Sequence, residues 1–364
     1  ILRLAFLGNG DPVNDESLLA FRAIGLIDFD NAEYQTTPWE WTDPNVPWWA
    51  KISFHDHPPL VFWIQHIFMR IFGENTWVFR LPSALLGIIS VWLVFLIAEK
   101  LYGERAGLIA SALYAVTLNG VYISRIGLQE AYVIFFLLLV FYFLLRALEH
   151  PRFYLIMGVA LGLGILSKYT AAIAVPIIFS YLAMVKIGDF RRKDLWFGLL
   201  FMLGIASPIL IYNIMLYKNF GHFDFQLSYV FGQTPEAWQV QPGKDIGLLS
   251  ERLLNFIPRL VNSNSWLFLT AVFVSLLSFL GGLFRGAKAA LRGHIFLLTA
   301  FAWFFVLILA IGPSYRFLST LTPLLAIAVG LAINRFLEIP NLPAGAAYGI
   351  FAALATFEIY YSAN

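Results

Sequence analysis

Ten stretches of this chain run for about 15 to 23 residues without a charged side chain, the length a helix needs to cross a hydrocarbon layer of about 30 Å. They cover 81–98, 106–124, 131–145, 153–167, 169–185, 195–217, 264–284, 295–315, 317–334 and 339–357. Backbone N–H and C=O groups inside lipid must be satisfied within the segment, so unbroken apolar runs of this length have to be helices. Composition removes the soluble alternative: 60% of the residues are hydrophobic, only 13% are charged, and the mean hydropathy is +0.74. A short apolar stub from Ile1 to Gly8 brings the expected count to about eleven transmembrane helices, the first truncated at its start, and no signal peptide is visible. The expectation is an all-α, polytopic integral membrane protein forming one domain over 1–364. Two polar stretches interrupt it, a first loop over 9–77 and a second over 218–263.

Orientation follows from the cationic side chains. Every second connection is basic: Lys100 and Arg105; Arg146 and Arg152; Lys186, Arg191, Arg192 and Lys193; Arg285, Lys288 and Arg292; then Arg335. The intervening short connections carry only Arg125, Lys168 and Arg316. The basic set is therefore expected on the cytoplasmic side of the cell membrane, and both long loops on the outer side. Within the first loop, Asp15 and Glu16 precede a helical pattern over 17–27, with acids suited to a helix N-terminus. A second helix is expected over 59–72, too polar to span at Gln65, His66 and Arg70 yet apolar elsewhere, which suits the membrane interface. Trp39, Trp41, Trp48 and Trp49 lie between them at Pro-punctuated positions, where indoles favour the headgroup level.

Several classes of chemistry drop out. There is no cysteine, hence no disulfide, thiolate nucleophile or Cys-ligated metal. No basic stripe with stacking aromatics faces water, so nucleic acid is not expected as a partner. Gly158, Gly162 and Gly164 lack a following Gly-Lys-Ser/Thr and point to close helix packing. Pro176, Pro208 and Pro323 point to kinks in membrane helices. His150 and His294 fall on the cytoplasmic side as bystanders.

What remains is a set of ionisable residues at the ends of apolar runs, and the segment from Asn9 to Leu60 reads as one wall of an active site at a membrane surface. Asp15 either caps the helix that follows or performs proton transfer, and Glu16 either orients Asp15 or is a solvated neighbour. His55, Asp56 and His57 alternate as metal ligands do on an extended strand, so Asp56 and His55 are candidate ligands of a divalent metal, with no cofactor required. Lys168, between two apolar runs, either snorkels or binds phosphate, and Arg316 after Gly312-Pro313 offers forked donors to the same group. Arg125 and Glu130 either contact substrate or pair with each other across a short turn. His222 and Asp224 in the second loop are within possible reach.

The order of these pieces resembles a known family. An Asp-Glu pair opens the first loop, His57-Pro58-Pro59-Leu60 precedes the interfacial helix, and Arg80-Leu81-Pro82-Ser83-Ala84-Leu85-Leu86-Gly87 follows. Then come Ser124-Arg125 with Glu130, the run from Gly162 through Lys168 to Tyr169, and Ser314-Tyr315-Arg316-Phe317. The series is similar to the GT-C glycosyltransferases of the protein O-mannosyltransferase and lipid A aminoarabinose transferase superfamily. The resemblance implies transfer of a sugar from a polyprenyl-phosphate donor to a protein, lipid or glycan acceptor at the outer face, inversion being part of that expectation, with membrane lipid as the surroundings. It also implies that Asp15 is the catalytic carboxylate, with Glu16 beside it. His57, Lys168, Tyr315 and Arg316 would hold the donor phosphate, and Arg125 and Glu130 would contact substrate. In some relatives an acid matching Asp56 helps hold a metal and a Lys stands where this chain has His57, which leaves the neutralisation of the phosphate to His57, Lys168 or Arg316. Two other readings stay open: a GT-C-like scaffold subunit without catalysis, and a transporter, against which the missing internal repeat argues.

Overall fold

The computed structural model describes residues 1–12, 15–28, 38–235, 246–283, 288–339 and 343–363. Asn14, Asp30 and Glu33 of the first loop lie outside them. In chain order the elements are α1 (Asp15–Ala23), a hairpin of β1 (Leu26–Asp28) and β2 (Pro38–Glu40), α2 (Leu60–Phe72), α3 (Thr76–Tyr102), α4 (Glu104–Val116), α5 (Leu118–Arg125), α6 (Glu130–Ala147) and α7 (Phe153–Ser167). Then follow α8 (Ala174–Val185), α9 (Lys193–Ile205), α10 (Ser207–Phe220), α11 (Phe225–Phe231), α12 (Leu249–Ser263), α13 (Trp266–Leu283), α14 (Lys288–Ile311), α15 (Tyr315–Leu318), α16 (Thr322–Leu337) and α17 (Ala344–Ala363). The described part of each of the ten apolar runs falls largely on helix, the first loop contains α1 and α2, and the second loop contains α11 and α12.

Three expectations change. The helix expected over 17–27 ends at Ala23, and the residues beyond it enter β1, which pairs antiparallel with β2, Leu26 opposite Glu40. Residues 1–8 form turns rather than helix. Four helical segments, α3, α6, 291–311 of α14 and Tyr315–Leu337, are long and apolar enough to cross a membrane alone, and two bent pairs raise the number to six among the described residues. These define a multi-pass membrane protein. The shorter apolar helices, α2, α7, Tyr169–Val185 and Trp266–Leu276, fall below that length. Pro208 and Pro323 sit in the first turn of α10 and α16, where the missing N–H would have no helical partner anyway, while Pro82 is the proline inside a long span.

The bends have identifiable chemistry. Between α4 and α5 the axis turns by 58° at Thr117, which frees carbonyls at the end of one helix and amides at the start of the next. Arg3 donates to the carbonyls of Tyr114 and Ala115, Ser362 donates to Val116 O at 2.7 Å, and the Leu118 amide donates to the Glu358 carboxylate at 2.9 Å. Protein groups thus satisfy four of the polar atoms freed at the break, as burial in a membrane protein favours. Between α9 and α10 the turn is 54°, at Ala206 and ahead of Pro208.

The core lies where α6, α7 and α16 are enclosed by their neighbours. α16 is the most enclosed span, and at Gly330 its backbone approaches α4 so closely that a methyl would come within 2.8 Å of Ala110 Cβ. α7 crosses α9 at Gly158 and Gly198, where a Cβ on Gly158 would overlap the Gly198 carbonyl oxygen. The expected packing role of Gly158 is thus visible in the crossing. Gly158→Ala should lower stability by about 1–3 kcal/mol, the usual range for overpacking a tight interface. Gly204→Ala, with nothing within 4 Å of the added methyl, should not. Thermal unfolding in detergent checks both, and equal midpoints would refute the tight crossing.

Candidate active site

Four side chains from four distant segments form one chain of charges. Asp15 opens α1, Glu130 opens α6, Lys168 ends α7 in an extended conformation, and Arg316 lies in the first turn of α15. Acids in a first helical turn face the positive end of the helix dipole, so local structure already favours both carboxylates there. Arg316 Nη1 donates to Asp15 Oδ2 at 2.6 Å, and its Nε lies 3.9 Å from Glu130 Oε1. Lys168 Nζ donates to the same Glu130 oxygen at 2.7 Å and stands 5.2 Å from the centre of the Phe317 ring. The two acids differ in access: the Glu130 side chain is 3% exposed, that of Asp15 45%. Glu130 is the buried anion beside the two cations, and Asp15 is the one open to solvent.

Asp15 opens onto a cleft of about 680 Å³. Tyr315 and Arg316 line one side; Arg252, Asn255 and Arg259 of α12 line another. Their placement follows from the loop before α15: Gly312 takes a left-handed φ of +84°, which a side chain would strain, and the chain turns there from α14 into Pro313 and the Ser314 cap. Arg259 donates to Pro313 O at 2.7 Å and Arg252 to Leu309 O, so α12 is tied to the far wall. α12 is amphipathic, with Leu249, Leu253, Leu254, Ile257 and Val261 exposed on the side away from the arginines. The Asn119 side chain donates to Tyr315 O at 3.3 Å, and the Tyr122 and Tyr315 rings meet edge on at 5.9 Å.

Glu16 is placed otherwise. Its carboxylate is buried, 1% exposed, and receives Arg80 Nε at 2.7 Å, Arg80 Nη2 at 2.9 Å and the Gly127 amide at 2.7 Å. It points into the protein and is not a solvated neighbour of Asp15. Arg80 reaches past it to the carbonyls of Leu7, Asn9 and Asp11, fixing the segment that leads to α1. Arg125 does not pair with Glu130; its guanidinium donates to the carbonyls of Leu2 and Ala5 at 2.6 and 2.7 Å.

A second cluster gathers the histidines. Asp56 faces Arg22 Nη1 at 2.5 Å and His57 Nδ1 at 2.9 Å, with His55 Nδ1 at 4.0 Å. Arg22 is 2% exposed and lies against the rings of Phe54 and Phe62, a desolvated guanidinium held by two aromatic faces. Among the described residues no three His, Asp or Glu side chains converge as metal ligands. As arranged, Asp56 and His55 do not fit a metal ion, because a guanidinium already occupies the carboxylate. Asp224 lies beside this cluster, bonded by Tyr169, by Asn213 Nδ2 at 2.9 Å and by the Leu227 amide at 2.9 Å; the Phe225 amide donates to His55 O at 2.6 Å. The second loop is thereby joined to the first. His222 is buried nearby, its Nδ1 2.7 Å from Phe223 O. Lys168 and Tyr169 are consecutive, so one turn serves both clusters.

The two aspartates of this region are shifted in opposite directions. Burial pushes the Asp56 carboxyl up, but Arg22 and the two imidazoles outweigh burial and hold it well below the usual carboxylate range. Burial raises Asp224, its hydrogen bonds offset part of the rise, and the charge of Asp56 adds to it. Because the folded state depresses Asp56, its contribution to stability is present above an ordinary pKa of about 4 and is lost as pH falls toward the depressed value. The unfolding midpoint of Asp56→Asn should therefore lie below that of the native chain at pH 7, and the gap should start to close only below about pH 4, narrowing as pH falls toward the depressed value. A gap that stays constant with pH would refute the pairing.

Sequence reading missed Arg22, Arg80, Tyr169, Arg252 and Arg259 as participants. Arg80 sits inside the motif over 80–87, and the amphipathic pattern of 249–263 carried the signal for the cleft arginines; the roles of Arg22 and Tyr169 depend on contacts far along the chain.

Comparison with known proteins bears on the fold that carries this site. Residues 56–212 match the family model of dolichyl-phosphate-mannose-protein mannosyltransferases. The chain is 39% identical over 97 residues to the putative mannosyltransferase YycA of Bacillus subtilis, an alignment covering 27% of this chain and 14% of that protein. Crystal structures of ArnT from Cupriavidus metallidurans superpose over 99% of this chain. The apo form gives a TM-score of 0.68 at 15% identity over 73% of its length; the form bound to undecaprenyl phosphate gives 0.65 at 17% identity over 67%. These likenesses define a polytopic, helical membrane protein of the GT-C class. At 15 and 17% identity, these matches show that the chain shares the GT-C fold with the two ArnT structures.

Proposed function

We propose that the chain is a membrane glycosyltransferase that moves a sugar from a polyprenyl-phosphate donor to a protein, lipid or glycan acceptor at the outer face of the membrane. The observation that carries this reading is the Asp15–Arg316–Glu130–Lys168 chain, in which one carboxylate is open to a cleft and two cations are held beside it by a buried one. Asp15 takes the acceptor proton as the acceptor oxygen bonds to the anomeric carbon. The bond from that carbon to the phosphate oxygen breaks, and its electron pair leaves with the carrier phosphate. Lys168 and Arg316, with His57 and Tyr315 at the margin, offset the charge that develops on the leaving oxygen. Glu130 keeps the cations in register, while Arg125 and Glu16 act on the scaffold around them. Inversion fits one open carboxylate; Glu251, also at the cleft, is spent on the Leu248 amide. Undecaprenyl phosphate bound to an ArnT of the same fold supports a polyprenyl-phosphate carrier. The proposed topology places the two long loops outside and assigns a span to each of the ten apolar runs, with the short apolar helices completing spans through the bundle.

The test is mass spectrometry of lipid products after incubating the purified chain with a panel of polyprenyl-phosphate sugars and candidate acceptors. Release of free polyprenyl phosphate is the expected result. Lys168→Gln, which retains a donor for Glu130, should weaken donor binding by about tenfold or more, the scale of a lost charge-assisted hydrogen bond. Folded protein that releases nothing would leave the scaffold reading in its place.

A further inference from the structure

Glu358 is a carboxylate that neither the sequence pattern nor the proposed reaction uses. It lies on the otherwise apolar α17, is 1% exposed, and has no cation within ion-pair distance among the described residues. An ionisable group in such a helix is expensive to keep, so its partners matter. Its two oxygens serve two different elements. Oε2 accepts the Leu118 amide at 2.9 Å, the donor freed where α4 breaks into α5. Oε1 accepts the hydroxyl of Ser265, whose oxygen in turn accepts the Phe268 amide at 3.1 Å and so caps the start of α13. α17 is held against the same place by the Trp266 and Phe357 rings, 5.6 Å apart and edge on.

Both bonded elements lead to the cleft. One residue beyond Leu118, Asn119 donates to Tyr315 O, the residue next to Arg316. Directly before Ser265 the chain comes from α12, whose Arg259 is tied to Pro313 O. One buried carboxylate thus joins the supports of the two walls between which Asp15 opens. We infer that Glu358 is a positioning residue for the proposed reaction: by bridging the α5 break and the α13 cap it sets the separation of α12 from the α15 turn. This inference rests on the glycosyltransferase reading only for its kinetic consequence, because the bridge itself is geometric.

The chain has no cysteine, so spin labels can be placed at chosen sites without background. Labels at Leu254→Cys on α12 and Ile89→Cys on α3, both exposed, report the wall position by pulsed electron resonance. Glu358→Ala should broaden or shift that distance distribution and lower kcat/KM with polyprenyl-phosphate sugar by at least tenfold, mainly in kcat. Glu358→Gln, whose amide can accept from Leu118 and bond Ser265, should restore both. Glu358→Leu fills the space without the bonds and should behave as alanine does; should alanine fail to fold, the glutamine and leucine variants alone decide. A native-like distance and kcat/KM in the alanine variant would overturn the inference, and so would leucine restoring them as well as glutamine. If the native chain turns over no donor, the glycosyltransferase reading fails while the distance measurement still decides the bridge.

Discussion

Asp15→Asn should reduce product formation by about a hundred- to ten-thousandfold, the span over which a positioned general base acts, while the protein remains folded. The side chain is nearly half exposed, and asparagine can still accept the Arg316 donor through its amide oxygen, so little structure is at stake. What disappears is the capacity to take a proton. Single-turnover formation of glycosylated acceptor, followed by mass spectrometry, reports the chemical step, and a thermal unfolding midpoint within a few degrees of native confirms that the loss is chemical. A variant that keeps more than a tenth of the native rate would remove Asp15 as the base.

The neighbouring acid should behave in the opposite way. Glu16→Gln should cost about 3–5 kcal/mol of stability, because it leaves Arg80 charged and buried with only carbonyl oxygens for company. The Gly127 amide loses a charged acceptor as well. Any fall in turnover should follow the fraction unfolded rather than the chemistry. Replacing both partners, as in Glu16→Leu with Arg80→Met, should recover part of the loss, since a matched apolar pair leaves no orphaned charge. Chemical unfolding in detergent measures all three variants. A single-variant loss below about 0.5 kcal/mol would mean that the pair is not insulated from water as its burial indicates.

The contrast between these adjacent residues marks how far sequence reading extends. The apolar runs were legible because lipid leaves the backbone no alternative to the helix, and the acids at 15 and 16 stood out because so few charges occur in the chain. The resemblance pointed to Asp15, but the physical reason that it and not Glu16 faces the cleft was not legible: it lies with Arg80, 64 residues from Glu16, and Arg316, 301 residues from Asp15. Lys168 stood out as an isolated cation, but its partner was not legible: Glu130 was read as a substrate contact or as a partner of Arg125, which instead holds the carbonyls of residues 2 and 5. The His-Asp-His triplet suggested metal ligands because alternation is a local property; the guanidinium that takes the carboxylate comes from α1, across the hairpin. Hydrophobic pattern predicts where a helix lies, whereas the partner of a buried charge is a tertiary fact.

Two carboxylates and two cations make the proposed reaction centre electrically neutral before any ligand arrives. A donor phosphodiester brings one negative charge; after transfer the carrier phosphate holds about two near neutral pH, and for that moment the proton on Asp15 keeps the total unchanged. When that proton escapes to solvent, the centre returns to neutral and loses the extra positive charge that held the spent carrier. The same carboxylate that starts the cycle would then end it, discharging the carrier into the membrane only after the acceptor's proton has gone.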